Sequence, residues 1–157
     1  MTHHFTLRPL VVLAVLVALF AVGCAASQSV TLPSGQAVEA RQRLMKANGA
    51  NWAEAQAKLK AGNIEGIAVN AESISIMAAE IPGLFPVGSL LANSKAKSDV
   101  WDRWMDFTAA AKNLETMAAT LRDTARTKDA ATTEAMMRDF GAKTCGSCHT
   151  TFRQPAR

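Results

Sequence analysis

Cys145-Gly146-Ser147-Cys148-His149, close to the C-terminal end of the 157-residue chain, is the stretch from which the rest can be read. Cys-x-x-Cys-His is the attachment sequence of a c-type haem. Its two thiols add across the haem vinyl groups, and the adjacent imidazole becomes the proximal iron ligand. On a helix Cys145 and Cys148 stand i,i+3 and Cys145 and His149 i,i+4, so one face carries all three. Competing uses of the motif fit less well. A redox Cys-x-x-Cys normally accompanies a βαβ pattern, and the sequence has no convincing strand. A zinc site takes about four N/S ligands, yet beyond this motif only Cys24, His3 and His4 remain. A plain disulfide does not call for the histidine.

At the other end, Leu10 to Val22 is an unbroken apolar run preceded by Arg8 and followed by small residues. It falls short of the ~20 residues of a bilayer span and suits the core of a secretory signal. Bacterial c-type haem is attached outside the cytoplasm, so export to the periplasm agrees with the motif. Two processing outcomes stand side by side. Ala21-Val22-Gly23-Cys24 looks like a lipobox, which would make Cys24 a lipid-anchored N-terminus, while Cys24-Ala25-Ala26 suits ordinary cleavage before Ser27. The expected organisation is a signal over 1–26 and one domain over 27–157, a length that supports a single core. The charge balance is mildly basic, 17 Lys and Arg against 13 Asp and Glu. Two haem propionates would cancel most of that surplus. No basic run studded with aromatics points to nucleic acid.

Four amphipathic stretches fill the domain. The first opens at Ser34 or Gly35 and runs to about Lys60, ending at Gly62-Asn63. The second begins near Asn63, with Ile64, Ile67, Ala71, Ile74, Ala78 and Ile81 at the alternating spacing of a bundle seam. Pro82-Gly83 stops it, and the segment to about Lys97 reads as the long loop. The third, about Ser98 to Arg126, repeats the seam with Trp104, Phe107, Ala111, Leu114, Ala118, Leu121 and Ala125. Asp99 and Asp102 in its first turn suit the helix dipole. The fourth starts near Lys128 or Asp129 and carries Met137, Phe140, the haem motif and Phe152. Four such helices, with short connections and one long one, predict an all-α, antiparallel up-down four-helix bundle.

The chain resembles the cytochrome c′ family, the class II c-type cytochromes. Four stretches carry the resemblance: Arg41-Gln42-Arg43-Leu44-Met45-Lys46 followed by Asn48-Gly49, the loop Ile81 to Ser89, Trp101, and Cys145 through Arg153. Together they span nearly all of the domain. The resemblance implies one covalent haem c on Cys145 and Cys148, with His149 as iron ligand. It implies that Arg41 and Gln42 contact a propionate, an ordinary exposed charge at Arg41 being the alternative. It puts Arg153 beside the proximal imidazole, where a solvated helix-end arginine is the bland reading. Met45 falls at the family's distal position, although methionine is also a common core filler. Trp52, Trp104, Phe107 and Phe140 are expected in the core.

Two functions follow from what Met45 does. As a second axial ligand it would make a low-spin electron carrier with an unidentified redox partner, and Asn48-Gly49 resembles the low-spin branch. As a mere shield it would leave five-coordinate iron that binds NO or CO. No distal His or Arg for peroxide cleavage is suggested, so no enzymatic activity is expected. Many relatives dimerise through the first two helices, and the small residues Ala53, Ala57 and Ala61 suit such a homodimer.

Overall fold

The computed structural model describes residues 31–155. The expected signal segment, Cys24 and both cleavage points lie outside them. Helix α1 spans Ser34–Lys60, beginning where Pro33 holds an extended backbone. It ends in a Schellman motif: Gly62, at φ 73°, donates its N–H to Leu59 O, and Asn63 N–H reaches Lys58 O. Asn63 does not start the next helix. Its side-chain oxygen accepts from Gly66 N at 3.0 Å, forming a turn that delays α2 to Ile67–Glu80. This is the competition between local side-chain bonds and helix formation that makes asparagine a turn residue.

Pro82 lacks an N–H and opens a 3₁₀ turn, Pro82–Leu84, from which the long loop departs. Gly88 turns within it at φ 82°, a conformation open to glycine. The expected third helix comes in two pieces. Helix α3 covers Asp99–Asp102, Arg103 breaks it at φ −126° and ψ 48°, and α4 runs Trp104–Arg126. Asp129 caps α5, Ala130–Gly141, through Thr132 N at 3.1 Å. A widened π turn, Ala142–Gly146, then joins α5 to α6, Ser147–Phe152. No isolated strand pairs form a sheet among the described residues, only one antiparallel bridge between Ala96 and Arg153.

The two seams read from the sequence meet. Helix α2 packs along α4, α1 against α2, and α5 against α4. Ile67, Ala71, Ile74, Ala78, Phe107, Ala111, Leu114, Ala118, Leu121 and Ala125 are all buried. The alanines let the rods approach closely while the larger residues fill the gaps. Trp52 stacks on Phe140 with ring centroids 4.7 Å apart, which closes α1 over α5. Trp104 is a correction to the expected seam: it is 39 % exposed, because the break at Arg103 leaves it at the end of α4. The tryptophan that turns inward is Trp101, whose Nε1–H donates to Phe85 O at 3.1 Å. Asn48 is buried and its Oδ1 has no partner, alone among the described buried side-chain polar atoms.

Candidate haem site

Between α1 and α6 the bundle leaves a cavity of about 470 Å³. Helix α1 lines it with Arg41, Gln42, Met45 and Lys46, three positions on one helical face and their neighbour. The C-terminal segment contributes Cys148, His149, Phe152 and Arg153. The remaining wall comes from Phe85, Lys95 and Ala96 in the loop and from Val100 and Phe107. Six of the seven residues predicted from sequence are thus gathered here. Cys145 is not in the lining; it is half-buried in the π turn, with Thr144 Oγ1 3.6 Å from its sulfur. That turn replaces the regular i,i+3,i+4 spacing expected across the motif, and π turns recur at functional sites because they redirect single side chains.

The long loop is fixed over the cavity at both ends. Lys97 N–H donates to Phe152 O at 2.9 Å and Gln154 N–H to Lys95 O at 2.8 Å, which sews the loop to the end of α6 and the residues just past it. Arg41 does the same from α1. Its guanidinium donates to Leu84 O, Ser89 Oγ, Ser89 O and Ser94 Oγ at 2.6–3.2 Å, and it lies 4.6 Å from the Phe85 ring centre. Arg41 is 5 % exposed, so the alternative of an ordinary surface charge is overturned. Burial pulls its pKa below the ordinary arginine value; a guanidinium keeps its charge in proteins. Four of its five N–H donors go to the loop, and among the described residues Nε–H donates to none. Gln42, exposed, donates to Asn93 O at 3.0 Å.

The two thiols are free. Burial, and secondarily Cys145, pushes the Cys148 thiol up to about 11, so it is protonated at neutral pH. Burial lowers the His149 pKa, with the Arg153 charge adding to the effect. Both effects favour the neutral imidazole, the form that keeps a nitrogen lone pair for a metal. Arg153 is exposed just past α6 and its N–H bonds His149 O at 3.1 Å.

These residues fit a covalently bound macrocycle. The Cys148 thiol and the His149 imidazole stand at one end of a cavity walled by Phe85, Ala96, Val100, Phe107 and Phe152, with the Cys145 thiol in the adjoining π turn, and cations rim it where acidic groups would lie. Sequence reasoning did not find Lys95, Ala96 or Val100. They sit in and after the long loop, where no periodicity marks them, although Phe85 lay in a stretch already singled out.

The fold and this constellation define a four-helix-bundle protein that carries haem c. Residues 36–153 match the family described as Cytochrome C′. Cytochrome c-556 from Agrobacterium fabrum is 34 % identical over 119 residues, covering 74 % of this chain and 80 % of the relative. The solved cytochrome c′ of Thermochromatium tepidum superposes with a TM-score of 0.71 at 23 % identity, over 80 % of this chain and all of that one. A nitric oxide complex of a mutant cytochrome c prime from Alcaligenes xylosoxidans does so with 0.69 at 20 %, over 78 % and 97 %. The chain belongs to the cytochrome c′ family, whose members hold haem c covalently in this bundle.

Proposed function

We propose that this protein is an exported one-electron carrier, its haem held by Cys145 and Cys148 and its iron ligated by His149 and Met45. The observation that carries this reading is the meeting of Met45 from α1 and His149 from α6 in one cavity, where, among the described residues, Met45 is the only sulfur besides Cys148. The haem iron supplies a reversible one-electron couple. Met45 would contribute a thioether, which raises the reduction potential relative to histidine alone. The apolar wall keeps water from the iron, and Arg41 anchors the loop while leaving Nε–H and its charge for a propionate. Arg153 and Gln42 are assigned to the same rim, Arg153 beside the proximal imidazole. The name of the Agrobacterium relative is that of a cytochrome and is consistent with such a role.

The test is spectroscopic. The ferric protein should show the weak near-infrared sulfur-to-iron band, and Met45→Ala should abolish it with the haem still attached. The variant should then bind CO quickly where the parent does not. A parent that is high-spin and binds CO readily would make Met45 a shield and the protein a gas-binding one. That second reading is favoured by the apolar wall and by the nitric oxide complex of the Alcaligenes relative. No helix among the described residues is long and apolar enough to cross a membrane. Intact mass of the exported chain separates a lipid-modified Cys24 from a start at Ser27. Exposed Ala53, Ala57 and Ala61 remain our assignment for a homodimer contact, checked by sedimentation of the haem-loaded protein.

A further inference from the structure

Of the lysines and arginines among the described residues, Arg43, Lys58, Arg103, Lys112, Arg122, Arg126, Lys128 and Lys143 each form an ion pair. Seven have none within 4 Å, and they are not scattered. Arg41, Lys46, Lys95 and Arg153 all line the haem cavity. Lys97 lies next to them, its ammonium donating to Thr150 O at 3.0 Å. Only Lys60 and Arg138 stand apart.

Among the described residues no Asp or Glu lines the cavity. On the neighbouring elements, Glu39 is paired with Arg43 and Asp106 with Arg103, while Asp99 and Asp102 belong to α3 outside the lining. Lys46, Lys95 and Arg153 are exposed. Two propionates would offset two of the four lining charges. The rest is an excess positive field over a concave, low-dielectric opening, the arrangement that focuses field lines and raises encounter rates with anions. Clustered like charges weaken a fold through self-repulsion, so their concentration at the one place where electrons would enter is informative.

From this we infer that the cavity mouth is the docking surface for an acidic redox protein, with Lys46, Lys95 and Arg153 as its contacts. The inference rests on the electron-transfer reading and deepens it. A partner with clustered carboxylates would be steered to the rim nearest the haem, and the gain would appear chiefly in the association rate and its salt dependence. A nucleic acid would ask for a longer basic track with aromatic platforms, which this compact ring does not provide.

The experiment uses the haem-loaded protein, reduced, and mixed by stopped flow with hexacyanoferrate(III) or with a tris(phenanthroline)cobalt(III) cation. In each case the haem loses one electron and the reagent gains it. At an ionic strength of about 10 mM, where screening extends to about 30 Å, the anion should react with a rate that falls steeply as salt is added, and the cation with a rate that rises. Lys46→Glu with Lys95→Glu should lower the anion's rate by at least about fivefold at low salt and invert its salt dependence. Lys60→Glu with Arg138→Glu changes net charge equally and should alter it by less than about twofold. Poly-L-glutamate should slow the anion's reaction with the parent and not with the Lys46/Lys95 variant. Midpoint potential and visible spectrum are measured for every variant, and the rates are compared at equal driving force, so that they report on encounter.

Equal slowing by the Lys60/Arg138 pair would show that net charge governs, and the docking surface would be overturned. Protection by phosphatidylglycerol vesicles without protection by poly-L-glutamate would assign the rim to lipid and overturn it too. A parent that reacts slowly with both reagents, and is high-spin, would instead overturn the electron-transfer reading and the docking surface with it.

Discussion

The α2–α4 side of this molecule and the α1–α6 side are built on different terms. Along α2 and α4, small and large apolar residues alternate and the interior is filled. The arginines across it are answered by carboxylates, as Arg122 is by Glu72 at 2.9 Å and Asp123 at 2.7 Å. Between α1 and α6 lies a cavity of about 470 Å³, and among the described residues the cations that line it have no carboxylate partner. The polar bonds of Arg41 and the short backbone pairing of the loop with residues 152–154 hold that side together. The first side stabilises itself by burial; the second is a frame whose apolar walls need a cofactor between them.

The sharpest way to break the comparison is to withhold the cofactor. Replacing Cys145 and Cys148 with Ser should leave no haem after acid–acetone extraction. Amides of α1, α6 and the loop should then exchange fast, while the buried stretches of α2 and α4 keep their protection. A variant with uniform protection and a cooperative transition would show that the cavity side stands alone. On the filled side, Leu121→Ala removes a fully buried side chain and should cost about 3 kcal/mol in urea unfolding of the haem-loaded protein, with the haem spectrum unchanged.

On the open side, Arg41→Gln should cost about 2 kcal/mol by stranding Ser89 O and Leu84 O. Unlike Leu121→Ala, it should also change the haem spectrum or potential, since the loop it anchors lines the cavity. The smallest effect is expected far from the cavity, at the cap of α5. The Thr132 hydroxyl, then its N–H, holds the Asp129 pKa below the ordinary 3.8. A depressed carboxylate stabilises above its unfolded pKa, and that contribution is lost as pH falls through the folded value. Asp129→Asn keeps an acceptor at the cap but loses the charge. Its deficit against the parent should be present at pH 6 and shrink below pH ~4 in urea midpoints, without touching the haem.

Much of this was legible because it is local or periodic. Helix α1 runs over the predicted span, the apolar spacing picked out the buried residues of α2 and α4, and the haem motif marked the cavity's chemical end. The misreadings have a common cause. Asn63 satisfies Gly66 N–H with its own side chain, Arg103 leaves helical dihedrals, and the π turn widens the chain before Cys145. A single turn of backbone is easily shifted by side-chain bonds and packing that periodicity does not register. Trp104 was placed inside by its spacing and lies outside because the break next to it changes the register.

By itself the sequence determined the class of bundle, the thiols and imidazole that define its chemistry, and the sides of α2 and α4 that face inward. These depend on residues within a few turns of one another, where spacing alone decides which side chains share a face. Tertiary structure decided that Arg41 is a buried anchor and not a surface charge, because its partners lie 43 to 53 residues away in a loop without periodicity. It also decided that Lys46, Lys95 and Arg153, far apart in the sequence, form one unpaired ring. A charge acquires partners or lacks them only in space, and those three residues come together because Lys95 and Gln154 join their backbones beside α1.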